Sequence, residues 1–375
     1  MRIGLLGGVF GSPMGAYALS APENVLLRYL TEAGETVVPL SISEPPRLSP
    51  LPDVWHANHF GVGAYHLAFS GASPFVFTSH NPFLVSDFPV PESRLERWLQ
   101  RYTLNRADAI VALSAREADL LAARFDVPRD RFTVIPNGLA LEHYEAPPSD
   151  TPDDRDAGVF EVLAIGQLVE YKGHRYLLDA IAKLAAELPG LRLTIVTHQA
   201  AQREEQLAYA RTLGIADRLT YEGPYATDEL AAVLRRCDVF VQPSLAECFP
   251  VTVLEAMASG APVIATDVGG VAEEIGSAGI VVPARDAEAL AVAIRRLAHD
   301  PAERAALASA GTGRVHELYN GRRVAELHRE LYARIAAEPA RRRHRVRADM
   351  AIAAYSNRHA VARLLPRRVR KVSPG

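Results

Sequence analysis

The stretch VFVQPSLAECFPVTVLEAMASG, residues 239–260, reads as a strand, a loop and a helix in succession. Val239–Gln242 is an uncharged, β-branched and aromatic run of strand length. Pro243 and Ser244 break it and open a loop that carries Glu247. A helix is predicted over 252–259, closed by Gly260. The unpaired N–H groups at such a helix start, with the helix dipole, attract an anion. Glu247 and Glu255 stand eight residues apart in the same motif. Beside a phosphate two carboxylates repel, unless they bind hydroxyls instead. A sugar nucleotide offers both kinds of group, a diphosphate for the helix end and sugar hydroxyls for the acids. Taken alone, Glu255 reads equally as an acid placed by the helix dipole.

The same strand–helix alternation runs outward in both directions. Strands are predicted at 2–6, 36–40, 53–56, 75–79, 109–113 and 132–135, with helices at 22–33, 94–107 and 115–125. Residues 147–156 are dense in proline and acid and read as a linker, with Asp154-Arg155-Asp156 an exposed acidic segment. Beyond it strands are predicted at 160–165, 192–196, 219–222, 239–242, 262–266 and 280–282. Helices fall at 174–187, 204–213, 227–236, 252–259, 287–299, 302–318 and 321–337. Continuous apolar strands separated by helices mean parallel sheets covered on both faces. The expected fold is therefore α/β, with two Rossmann-like doubly wound domains facing a central cleft. The expected divisions are 1–146, a linker 147–157, 158–340 and a basic segment 341–375. Ligands in such sheets bind beyond the carboxyl ends of the strands.

Two further loops fit that placement. Gly166-Gln167-Leu168-Val169-Glu170-Tyr171-Lys172-Gly173 follows the first strand of the second unit, where Lys172 offers a point charge to a diphosphate. Residues 7–17, GGVFGSPMGAY, follow the first strand of the chain and lack the G-x-G-x-x-G spacing of a dinucleotide site. Between Val54 and Ser86 no Asp, Glu, Lys or Arg occurs, yet His56, His59, His66 and His80 make the stretch too polar to span a membrane. It reads as a pair of buried strands with a polar site at their ends. With no cysteine nearby, the histidines read as hydrogen-bonding groups for an acceptor rather than metal ligands.

Composition bounds the rest. The chain has 375 residues, 49% hydrophobic and 23% charged, which excludes wholesale disorder. A net charge of −3 argues against general nucleic-acid binding. Cys237 and Cys248 are the only cysteines, which excludes a disulfide framework and fits a cytoplasmic setting. Glycines and Pro13 interrupt any signal-peptide core in residues 3–22. Residues 341–375 hold eleven basic side chains against Asp349 alone, a balance of +10 that leaves −13 on the first 340. A basic, partly apolar tail on an acidic body fits either packing against the first domain or docking at the inner face of a membrane.

Together the three motifs resemble the retaining glycosyltransferases of the GT-B fold, family 4 (group 1). Pro136-Asn137-Gly138, Thr78-Ser79-His80 and the Gly269-Gly270 turn ending at Glu273-Glu274 add to the likeness. The resemblance implies transfer of a hexosyl group from a UDP- or GDP-sugar to a hydroxyl acceptor, which could be a saccharide, a lipid-linked molecule or a small molecule. It implies no metal and no cofactor beyond the donor itself. Glu255 would hold the ribose, and Glu247 the transferred sugar. Gly15, Gly166, Gln167, Phe249, Pro250, Val251 and Thr252 would line the donor, with Gly15 facing the β-phosphate and the N–H groups of Phe249 and Val251 near the transferred sugar. Lys172 would steady the departing diphosphate, and His80 would lie at the reacting face. Gln167 stands where the family commonly has Arg, and Val196-Thr197-His198-Gln199 replaces a usual Gly-x-Gly. His174 or Arg175 is expected to make up the missing charge. These departures keep a non-catalytic sugar-nucleotide binder open as a rival; a Rossmann-like unit also allows, more remotely, an NAD-dependent oxidoreductase, against which the Glu247/Glu255 pair argues.

Overall fold

The computed structural model describes residues 1–10, 19–145, 158–198 and 202–338. Gly15, Gln199, the linker with its Asp-x-Asp, and the basic segment from 341 lie outside them. The first unit runs β1 (Arg2–Gly7), α1 (Pro22–Glu32), β2 (Thr36–Ser41), β3 (Val54–Asn58), α2 (Val62–Ser70), β4 (Phe75–Thr78), α3 (Arg94–Arg106), β5 (Ala109–Ala112), α4 (Ala115–Phe125) and β6 (Phe132–Val134). The second runs β7 (Phe160–Ile165), α5 (His174–Leu184), β8 (Leu191–Val196), α6 (Arg203–Thr212), β9 (Leu219–Glu222), α7 (Thr227–Arg236), β10 (Val239–Gln242), α8 (Val251–Ala258), β11 (Val263–Thr266), α9 (Val271–Ile275), β12 (Ile280–Val282), α10 (Ala287–His299), α11 (Pro301–Leu318) and α12 (Gly321–Ala337).

Each unit holds one six-stranded sheet, and every strand pair is parallel. The strand orders are β2-β1-β3-β4-β5-β6 and β12-β11-β10-β7-β8-β9. In each, the winding direction reverses beside the first strand, at β1/β3 and at β7/β10. Crevices open at such reversals, beyond the carboxyl ends of the strands. All twelve strands stand where the apolar runs place them, which is the α/β doubly wound architecture expected.

Helix α2 is a correction. The uncharged stretch holds two buried strands, but a helix lies between them. Gly63, Ala64, Tyr65, Leu67, Ala68 and Phe69 are all buried, so no polar stripe marks the helix in the sequence. Helix α12, numbered with the second unit, packs against α1 of the first. Val324, Leu331, Tyr332 and Ile335 share a core with Ile3, Leu5, Val25 and Leu30. The chain thus crosses back within α12, ahead of the basic segment. His56 is part of that crossing and not of an acceptor site. It is fully buried, with Nδ1 2.7 Å from the Tyr332 hydroxyl and Nε2 2.9 Å from Thr78 Oγ1. Burial first, then His328, depresses its pKa well below the ordinary histidine value.

The units also meet through polar contacts. Asn137 Nδ2 donates to the Phe249 carbonyl at 2.9 Å. The first amides of α4, Ala115 and Arg116, donate to the Glu273 carboxylate at 2.9 and 2.7 Å. Glu273 therefore supplies negative charge to a helix N-terminus of the other unit.

Candidate donor site

The second sheet's reversal point gathers the motif residues. Gly173, between the Lys172 turn and α5, has φ +68, and a Cβ there would sit 1.9 Å from the Pro243 carbonyl oxygen. Only glycine lets the loop after β7 lie so close to the loop after β10. The Leu245 amide closes the same junction by donating to the Tyr171 carbonyl at 2.6 Å.

Across that junction Lys172 Nζ meets Glu247 Oε1 at 2.6 Å. Both side chains are largely buried, 17% and 9% exposed. The same carboxylate oxygen accepts from Gln242 Nε2 and Ser244 Oγ, each at 2.8 Å. Gln242 in turn accepts from Thr252 Oγ1 of α8 at 3.2 Å. Strand end, loop and helix start are thereby fixed in one network. Burial pulls the Lys172 pKa down, but the charge and hydrogen bond of Glu247 outweigh it and raise it above the ordinary lysine value.

Helix α8 begins at Val251 behind Pro250, and no side chain caps it among the described residues. Phe249 and Pro250 are buried, and Thr252 is half-buried. Glu255 lies within α8, 4% exposed. It accepts the Tyr144 hydroxyl of the first unit at 2.8 Å. Burial raises its pKa, while hydrogen bonds from Ser20 and Tyr144 act against the rise. Glu247 and Glu255 therefore face different neighbours, one a cation and the other a phenol.

Beside Lys172 a cavity of about 340 Å³ is lined by Gly166, Gln167, Val196, Thr197, His198 and Tyr225 among others. The segment that lacks Gly-x-Gly thus still leaves room. Neither residue expected to replace the missing arginine does so. His174 is buried, and burial followed by the Lys172 charge lowers its pKa to about 4. Arg175 lies over the Tyr209 ring, 4.6 Å from its centroid.

His80 belongs to the first unit. Among the described residues no hydrogen bond joins it to Lys172 or Glu247. It lies in the left-handed region at φ +47, and burial, then His59, lowers its pKa to about 3. It shares a small cavity with Asn58, Thr78, Asn137 and His328. Sequence reasoning missed Gln242, Ser244 and Tyr144. A glutamine ending an otherwise apolar strand was a usable signal for the first. Nothing local marks Tyr144, which lies 111 residues from Glu255.

The Glycosyltransferase Family 4 description matches residues 47–143, and Glycosyl transferases group 1 matches residues 160–300. The chain belongs to the family 4, group 1 glycosyltransferases. Its curated relatives include the D-inositol 3-phosphate glycosyltransferase of Rhodococcus opacus (strain B4), 32% identical over 258 residues. That match covers 63% of this chain and 56% of the relative. The enzyme of that name from Pseudarthrobacter chlorophenolicus is 32% identical over 268 residues, 67% of this chain and 64% of the relative. The chain spans only part of the length of either. Among solved structures, sucrose-phosphate synthase from Thermosynechococcus elongatus superposes with a TM-score of 0.73 at 22% identity, over 90% of this chain and 99% of that one. Anabaena Alr3699/HepE in complex with UDP-glucose gives 0.69 at 22% identity, over 89% and 100%. At such identity the likeness establishes the family's fold, GT-B. No helix among the described residues is long and apolar enough to cross a membrane.

Proposed function

We propose that this family member transfers a hexosyl group from a nucleoside-diphosphate sugar to a hydroxyl acceptor, with retention and without a metal. The observation that carries the reading is the buried Lys172–Glu247 pair beside the α8 start, at the reversal point of the second sheet. When a donor enters, its diphosphate takes Lys172 and the N–H groups of Phe249, Val251 and Thr252. Glu247, released from the lysine, accepts hydroxyls of the sugar. Glu255 exchanges the Tyr144 hydroxyl for ribose hydroxyls. The cavity beside Gly166 and Thr197 receives the base. Cleavage breaks the bond between the anomeric carbon and the β-phosphate oxygen. The acceptor oxygen bonds to that carbon on the same face, and its proton passes to the leaving phosphate. Lys172 and the helix amides stabilise the charge that develops there. His80 and Gly15 belong to the reacting face and the β-phosphate contact in this scheme.

UDP is favoured as the nucleotide, because the HepE relative of this fold binds UDP-glucose. A phosphorylated polyol is the first acceptor to try, given the name of the curated relatives. The +10 balance of residues 341–375 supports a cytoplasmic protein that touches an anionic membrane surface. The second reading, a binder without activity, draws on Gln167, whose missing charge neither His174 nor Arg175 replaces. A thermal-shift panel of UDP, GDP, ADP and TDP, followed by donor hydrolysis, separates the two. Stabilisation by UDP or GDP with slow release of sugar supports transfer. Stabilisation without any sugar release supports the binder, and no stabilisation by any of the four removes both.

A further inference from the structure

A second polar constellation stands at the reversal point of the first sheet. Strands β1 and β3 are neighbours there, with Leu6 opposite Ala57. Gly8 and His59 therefore emerge side by side. Glu23, in the first turn of α1, reaches into the gap with its side chain 3% exposed. Its Oε1 accepts the Gly8 amide at 3.1 Å and faces His59 Nε2 at 3.0 Å. Burial alone would raise the Glu23 pKa. The His59 hydrogen bond and nearby charge overcome it and hold the pKa at about 2, so the group is a carboxylate.

Such a partner fixes the imidazole. In the neutral ring the proton sits on Nε2, toward the carboxylate, and Nδ1 is left as a hydrogen-bond acceptor. His59 is 37% exposed, so it is within reach of a ligand. Its backbone is in the left-handed region at φ +79, next to His80 at +47, and the two rings lie 4.9 Å apart. Two consecutive strand ends thus carry histidines in a backbone conformation uncommon for non-glycine residues.

We infer that His59, oriented by Glu23 and backed by His80, accepts the hydroxyl of the incoming nucleophile and so sets its position against the anomeric carbon. The inference rests on the transfer reading above and adds the group that holds the acceptor. His59 would thereby join His80 at the proposed reacting face, a sharper role than the general hydrogen-bonding one read for the histidine stretch.

The test uses the full chain with UDP-glucose, water serving as the simplest hydroxyl acceptor. Hydrolysis rate, UDP affinity by calorimetry and melting temperature are measured for wild type, His59→Ala, His59→Gln and Glu23→Gln. The expected result for His59→Ala is a hydrolysis rate at least about tenfold lower, the loss of one hydrogen bond to a reacting group, with UDP affinity within about twofold. Glu23→Gln is expected to fall between that variant and wild type. His59→Gln, which keeps a side-chain carbonyl as acceptor, is expected to recover part of the rate. Wild-type hydrolysis by His59→Ala would overturn the inference and leave the transfer reading intact. So would a loss matched by an equal loss of UDP affinity and melting temperature in all three variants. A wild-type protein that binds UDP-glucose but never hydrolyses it would overturn the inference together with the transfer reading.

Discussion

Replacing Lys172 by Met removes the cation from the Glu247 pair and keeps most of the hydrophobic stem. The pair is largely shielded from water, at 17% and 9% exposure. Breaking a buried pair by removing one member costs about 3–5 kcal/mol, because the other charge is left uncompensated. Here Gln242 and Ser244 still donate to Glu247, so the low end, about 3 kcal/mol, is expected. The Lys172 pKa is raised in the folded protein. Its contribution is thus fully present below the ordinary lysine value and fades only as pH rises through the raised one. Urea unfolding of wild type and Lys172→Met should therefore differ by the same margin at pH 6 and pH 8. The double variant Lys172→Met/Glu247→Gln removes the stranded charge and should regain most of the loss. Donor hydrolysis should fall about a hundredfold in the single variant, the cost of losing one electrostatic stabiliser of the leaving group. A single variant as stable as wild type, or a double variant no better than the single, would refute the reasoning.

Three other outcomes follow from the same structure. Tyr144→Phe leaves buried Glu255 with the Ser20 hydrogen bond. It should lower stability by about 1–3 kcal/mol in urea unfolding, with the fold unchanged by circular dichroism. Burial raises the Glu117 pKa to about 7. A raised carboxyl favours the folded state at low pH, and that advantage is lost as pH rises through about 7. Wild type should thus lose stability between pH 5 and pH 8, and Glu117→Gln should flatten that slope in melting curves. Gly173→Ala meets the Pro243 carbonyl oxygen at 1.9 Å, whereas a Cβ on Gly34, also at positive φ, meets nothing within 4 Å. Both should pay roughly 1–3 kcal/mol of backbone strain, and Gly173→Ala should melt well below Gly34→Ala.

The strands were legible because parallel strands buried on both faces are written as continuous apolar runs. Helix α2 was hidden by the same cause, burial on nearly every side, which erased the polar stripe that betrays a helix. The Lys172 and Glu247 positions could be read from two loops, but not that they neutralise each other in the free protein. Their contact depends on Gly173 letting two separate strand ends meet, a matter of tertiary approach. Tyr144 and Glu23 were unreadable for that reason as well, since each acts on a partner brought close by sheet order. His56 misled because a histidine in a core hydrogen-bonded to Tyr332 looks, in sequence, like one waiting for a ligand. His174 and Arg175 misled because proximity in sequence to Gln167 says nothing of direction.

Whether the donor sits where β7 and β10 part, against the start of α8, is read from a crystal structure of the protein grown with UDP-glucose. The diphosphate is expected against Lys172 and the N–H groups of Phe249, Val251 and Thr252, with Glu247 turned to the hexose and Glu255 to the ribose. A donor bound elsewhere, with the Lys172–Glu247 pair still closed, would contradict that placement.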